Sequence, residues 1–178
     1  KICFDEISKL GGVPIMAAAG HSLIKAKMAE LESPLGGEMS GHIFFADKYY
    51  GYDDALYAAI RLLSVLSKSE NNLSEIRDSF PEMMNTPELR FDCADELKFN
   101  VIKEVHKRLL NIENIKVLDI DGVRVETKDG WWLLRASNTQ AALVGRCESD
   151  TEEGLLCLKN EVSEQLIKSG IKPPSNFN

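Results

Sequence analysis

The chain carries no basic stripe. Lysine and arginine number 21 against 28 aspartates and glutamates, a net charge of −7 at pH 7 over 178 residues. The acidic excess is spread over both halves. Binding nucleic acid or an anionic membrane through the overall field needs clustered positive charge, so the balance argues against both partners, and any bound anion must be held by a local arrangement. No apolar run approaches the ~20 residues that cross a bilayer, and nothing after Lys1 has the form of a signal peptide. Four cysteines (Cys3, Cys93, Cys147 and Cys157) make no C-x-x-C pair and are irregularly spaced. That usage predicts reduced, mostly buried thiols in a cytoplasmic protein. Histidine is scarce at three residues, and no internal repeat is visible. The sequence starts at Lys1, directly in a helical pattern, and reads as a piece of a longer protein.

What is present is a 44% hydrophobic chain, enough for one large core or two small ones. Phe4, Ile7 and Leu10 repeat at helical spacing before Gly11 and Gly12 stop the pattern. Val13 to Ala19 is a short apolar run that predicts a buried strand. Gly20 to Leu31 predicts a helix, with Pro34 beyond its end, and the "GHIFF" stretch enters a strand. Asp53 to Lys68 is the clearest helix. Its two aspartates complement the dipole, and Leu56, Ile60, Leu63 and Leu66 line one face. This order predicts an α/β domain, a mixed sheet covered by helices.

The character changes after Lys68. A polar stretch with two prolines reads as a linker holding one short helix. A strand over Leu89 to Cys93 and a helix over Ala94 to Leu110 follow. The Asp121-Gly122 and Asp129-Gly130 dipeptides then punctuate an antiparallel meander. One more strand and a helix from Thr151 to Gly170 close the chain, with Thr151 as N-cap and Gly170 as C′. The second half is therefore α+β, an antiparallel sheet with two helices. The domain boundary is placed between residues 85 and 86.

Two loops carry chemistry. In "GGEMSGH" the glycines permit positive φ and close approach of a ligand. Glu38, Ser40 and His42 alternate, so an extended segment would point all three the same way. A carboxylate, a hydroxyl and an imidazole suit vicinal sugar hydroxyls; a tight turn capping a helix is the competing reading. In "RASNT" the Ser137-Asn138-Thr139 run can form an anion nest, and Arg135 adds a planar fork for phosphate oxygens. Asp119 and Asp121 superficially resemble a metal loop but lack a third nearby ligand. They read as a strand entering a turn, and no metal site is expected in this chain. His106 reads as a solvated helix residue.

The segments "GHSLIKAKM", "GEMSGHIFF", "GYDDALYAAIRLL", "DGVRVE" and "GWWLLRASNT" resemble, in order and spacing, the C-terminal half of the α-D-phosphohexomutases of the bacterial phosphomannomutase/phosphoglucomutase type. The resemblance implies most of the family's third domain over residues 1–85, lacking its opening strand. It implies the whole fourth domain, TATA-binding-protein-like, over 86–178. Glu38 and Ser40 would contact sugar hydroxyls. His42 would stand beside the reacting hydroxyl as a positioning or proton-transfer group, and His21 would line the cleft. Arg135, Ser137, Asn138 and Thr139 would grip the phosphate that is not transferred.

The parent enzyme would interconvert hexose 1-phosphate and 6-phosphate through a hexose 1,6-bisphosphate. Its phosphoserine and Mg2+ loops would lie upstream, so this chain alone would be inactive. No serine loop of the family type occurs here. The resemblance further implies a cytoplasmic monomer whose partners are hexose phosphate and its own upstream domains. "GEMSGH" points to dual mannose and glucose use, since phosphoglucosamine mutases typically carry glutamine at Met39. Ala18 replaces a frequent basic residue, and Ala141 a frequent proline. A non-catalytic sugar-phosphate-binding remnant and an amino-sugar mutase stay open as alternatives.

Overall fold

The structure is a computed structural model that describes residues 1–174 and 177. The chain divides into two compact units, Lys1–Pro81 and Glu82–Asn178. Among the described residues, no helix is long and apolar enough to cross a membrane.

The first unit runs α1 (Ile2–Lys9), α2 (His21–Leu31), β1 (Leu35–Gly37), β2 (Ile43–Phe45), α3 (Ala55–Leu66) and α4 (Leu73–Asp78). α1 stops short of Gly11, whose φ of +82° suits glycine. β1 and β2 form an antiparallel pair with Gly36 opposite Phe44. The core is small: Ile24 and Met28 from α2 against Phe44 of β2. Gly36 suits that packing: a Cβ there would lie 2.5 Å from Met28 Sδ and 3.0 Å from Ile24 Cγ2 and would push those side chains aside. Asp54 caps α3 by accepting a hydrogen bond from Tyr57 N at 2.9 Å. The Tyr49 hydroxyl donates to the same carboxylate at 2.6 Å, holding its pKa below the ordinary range. α4 carries a capping box between Asn72 and Glu75.

Two expectations for this unit need correction. Residues 13–19 form no strand, and Val13 and Ile15 are exposed. A strand is made by a ladder partner, and none pairs with this run among the described residues; β1 and β2 satisfy each other instead. The predicted apolar face of α3 is also uncovered, with Leu56, Ile60 and Leu63 exposed. α3 meets β2 through a different face. Tyr57 packs edge-on to Phe45, with Arg61 over the same ring.

The second unit contains β3 (Met84–Asn85), β4 (Leu89–Asp92), α5 (Asp95–Leu109), β5 (Lys116–Leu118), β6 (Val123–Thr127), β7 (Gly130–Ala136), β8 (Ala142–Ser149) and α6 (Glu152–Lys168). The sheet order is β3-β8-β7-β6-β5, with β4 also pairing β8, and every pair is antiparallel. Alternation decides the faces. Val123, Val125, Trp132, Leu134, Leu143 and Cys147 are buried with Val101 and Val105 of α5 and Leu158, Val162 and Leu166 of α6. At about 1.5–3 kcal/mol per fully buried large side chain, this core far outweighs that of the first unit. α6 starts on Thr151, whose hydroxyl accepts from Gly154 N at 3.0 Å, and ends before Gly170 at φ +76°.

The fold class is as expected, an α/β unit followed by an α+β unit. The thiols differ: Cys93 and Cys147 are buried, whereas Cys3 and Cys157 are exposed. Burial pushes the Cys147 thiol up to about 12. His106 is half-buried and lies 4.0 Å from the Asp119 carboxylate, so it is less solvated than its helix position suggested.

Candidate functional site

The hairpin between β1 and β2 gathers the first group of predicted residues. It is not extended. Glu38 N donates to His42 O at 2.9 Å and Gly41 N to Glu38 O at 3.0 Å, closing a turn with Gly41 at φ +96°. The turn, not strand alternation, brings the side chains together. The Ser40 hydroxyl lies 3.4 Å from Glu38 Oε2. Glu38 Oε1 accepts from Gly20 N at 2.7 Å, at the start of α2. That bond ties the loop to the residue preceding His21. Gly36 and Gly41 serve packing and turn geometry here.

His21 and His42 then meet, ring centroids 4.4 Å apart and tilted 68°. Both face one acceptor. Asp53 Oδ2 is 2.7 Å from His42 Nδ1 and 3.4 Å from His21 Nε2. Asp53 is placed by an isolated bridge between its backbone and Phe44. Sequence reading took Asp53 for a dipole-complementing residue only; the adjacent Asp54 performs the capping, which frees Asp53 for the imidazoles. A second acidic residue beside a cap was the only available signal. An ionised carboxylate only accepts, so Nδ1 of His42 is the donor to Asp53 and the ring is held with Nε2 turned away from that carboxylate.

The second group lies at the end of β7, in the other unit. Arg135 alternates with the buried Leu134 and Ala136 and so points to the sheet face opposite the helices. Its guanidinium has no hydrogen-bond or ion-pair partner among the described residues. Ser137 is buried, and its hydroxyl accepts from Thr139 N at 3.4 Å and Gln140 N at 3.2 Å. It therefore sets the turn's shape. Asn138 and Thr139 are exposed at the tip. Two cations that sequence reading missed brace this loop. The buried Lys98 of α5 donates to Gln140 O at 3.0 Å while pairing with Asp95 at 2.6 Å. Arg90 of β4 donates to the Gln140 side chain. A lysine inside a charged helix gives no signal of such a role.

Residues 2–84 match the family model described as Phosphoglucomutase/phosphomannomutase, alpha/beta/alpha domain III, and residues 88–165 match Phosphoglucomutase/phosphomannomutase, C-terminal domain. The chain belongs to the phosphoglucomutase/phosphomannomutase family. It is 43% identical over 162 residues to a phosphomannomutase/phosphoglucomutase of Pseudomonas putida, covering 91% of this chain and 35% of that protein. A phosphoglucomutase of Neisseria gonorrhoeae is 41% identical over 155 residues, covering 86% and 34%. A phosphomannomutase of Methanocaldococcus jannaschii is 30% identical over 168 residues, covering 94% and 36%. The fold matches the crystal structure of a family protein from Burkholderia thailandensis with a TM-score of 0.85 at 35% identity, over 97% of this chain and 36% of that one. The chain thus spans about a third of the length of the curated relatives it matches.

Magnesium, which the family resemblance implies, asks for an oxygen shell. Among the described residues the only three-ligand cluster is His21, Glu38 and His42, a nitrogen-rich set that does not fit it. Asp119 leans to His106 instead of gathering carboxylates.

Proposed function

We propose that this chain is the sugar-phosphate-recognising part of a phosphomannomutase/phosphoglucomutase that interconverts hexose 1-phosphate and hexose 6-phosphate through a bisphosphorylated sugar. The phosphoserine and the magnesium ion belong to a part of the protein outside this sequence. The observation that carries the reading is the convergence of Glu38, Ser40, His42 and His21 on one hairpin, in a chain whose relatives bear those enzyme names.

In this reading the Glu38 carboxylate and Ser40 hydroxyl take vicinal sugar hydroxyls. His42, its ring fixed through Nδ1, offers Nε2 to the reacting hydroxyl, and His21 flanks it. Arg135 contributes a charged fork for the phosphate that stays in place, at the tip formed by Asn138 and Thr139. Ser137 holds that tip in shape. A clamp that reads vicinal hydroxyls accepts the sugar in either of two orientations, as a 1,6-exchange demands. Binding and orienting are what these residues supply; phosphoryl transfer is performed elsewhere. The protein is proposed to be cytoplasmic and monomeric, with the rest of its own chain and the hexose phosphate as partners.

The test is calorimetric titration of glucose 6-phosphate and mannose 6-phosphate into the chain, alongside a mutase assay. Binding without turnover is expected. Turnover by this chain alone at the rate of a full-length relative would overturn the division of labour. Absence of binding to either sugar phosphate would overturn the recognition role.

A further inference from the structure

We infer that His21, Glu38 and His42 form a binding site for a borderline divalent transition ion of the Zn2+, Co2+ or Ni2+ class. The ion would use the same side chains that the substrate reading gives to the sugar, so ion and sugar compete for them. Each of the three residues offers one ligand atom, and these atoms lie within 4.8 Å of one another. Two imidazoles and one carboxylate are the donor set that suits such ions, and three protein ligands leave one position of a tetrahedron open to water.

The surroundings support the assignment. A ligating imidazole is commonly held by a carboxylate on its other nitrogen, which fixes the tautomer and raises ligand basicity. Asp53 Oδ2, 2.7 Å from His42 Nδ1, stands in that relation to His42. His21, on the first residue of α2, is set 4.4 Å from His42 by ring packing, with Phe44 behind it at 5.4 Å. Glu38 Oε1 accepts from Gly20 N, which leaves Oε2 for the ion, with the Ser40 hydroxyl its one hydrogen-bond partner among the described residues, at 3.4 Å. Metal–ligand bonds of ~2.0–2.2 Å put tetrahedral ligand atoms ~3.4 Å apart. The farthest pair must therefore close by at most roughly 1.4 Å, within reach of side-chain rotation at the exposed His21.

The site is negatively biased by Glu38 and Asp53, which favours a cation over a neutral ligand.

The experiment is titration of the full 178-residue chain with Co2+, read by visible absorption, and with Zn2+, read by calorimetry. It is run in a Cys3→Ser, Cys157→Ser background, because those two thiols are exposed. One ion per chain is expected, with the intense visible bands of a four-coordinate Co2+ site. His21→Asn and His42→Asn should each abolish the stoichiometric site. Asp53→Asn, which leaves all three ligands in place, should weaken it about 10- to 100-fold. Circular dichroism checks that each variant is folded. No ion bound in the background lacking the two exposed thiols, or binding indifferent to both histidine substitutions, overturns the inference. A chain that fails here yet binds glucose 6-phosphate loses this site alone. A chain that binds the ion but neither sugar phosphate keeps the site and loses the proposed function.

Discussion

The carboxylate of Asp53 lies 2.7 Å from Nδ1 of His42, eleven residues earlier in the chain. His21 reaches the same oxygen from a third element at 3.4 Å. One carboxylate therefore holds the His42 ring by a hydrogen bond and lies close to the His21 ring, and α3 does not depend on it, because Asp54 is the residue that caps that helix. Removing the charge while keeping the shape separates site geometry from stability. Asp53→Asn should lower the unfolding free energy by no more than about 0.5–1.5 kcal/mol, the worth of one typical hydrogen bond. It should shift the ring nitrogen resonances of His42 toward a mixture of tautomers and weaken hexose phosphate binding by about 0.5–1.5 kcal/mol. Unchanged ring nitrogen shifts would mean that Asp53 does not set the tautomer.

Arg135 depends on a turn in a different hairpin. Gly122, between β5 and β6, has φ +85°, and a Cβ there would lie 2.5 Å from both Arg135 Cβ and Leu134 O. The backbone of β7 cannot yield without disturbing its ladders to β6 and β8. Gly122→Ala should cost about 1–3 kcal/mol of stability from the left-handed conformation alone. It should also weaken phosphate binding, although residue 122 is proposed to touch no ligand. A variant with full stability would show that the turn relaxes freely and that the close approach is not required.

The phosphate-side loop is predicted to lean on Lys98. Its ammonium is buried and donates to Gln140 O at 3.0 Å. Lys98→Met keeps the apolar stem and removes that bond, worth about 0.5–1.5 kcal/mol for a typical hydrogen bond and up to about 3 for a charged one. Faster amide exchange at residues 138–142 is expected, with a smaller loss of sugar phosphate affinity than Arg135→Ala, for which about 1.5–3 kcal/mol is expected. Equal losses in the two variants would give Lys98 a direct role in holding the anion.

Legibility in the sequence followed how local the cause was. The Asp-Gly turns of the meander and the Thr151 and Gly170 caps of α6 are set by their own residues and could be read off them. The run Val13 to Ala19 could not. Its apolar pattern is that of a strand, but pairing depends on a neighbour that periodicity does not reveal. The candidate site was legible as residue types, and its geometry was not. Glu38, Ser40 and His42 do meet, through a turn rather than by alternation. Ser137 lies in its loop but faces inward. Asp53 and Lys98 owe their roles to partners 11 and 42 residues away, a separation no local pattern encodes.

The core of the second unit holds one carboxyl that should make stability depend on pH. Glu161 of α6 is half-buried, and its Oε2 accepts from Trp132 Nε1 at 2.8 Å. Burial raises its pKa above the ordinary value, and the Trp132 hydrogen bond opposes this only in part. A carboxyl whose native pKa is raised binds its proton more tightly folded than unfolded. Its contribution is then fully present below the unfolded value and is lost as pH rises through the native one. Glu161→Gln keeps an acceptor for Trp132 and never ionises. Urea titrations should therefore show parent and variant nearly equal in acid, with the variant the more stable at neutral pH. A gap that is constant across the range, or that widens toward acid, would show that the ionised carboxylate is not penalised by its surroundings and that the indole bond outweighs burial.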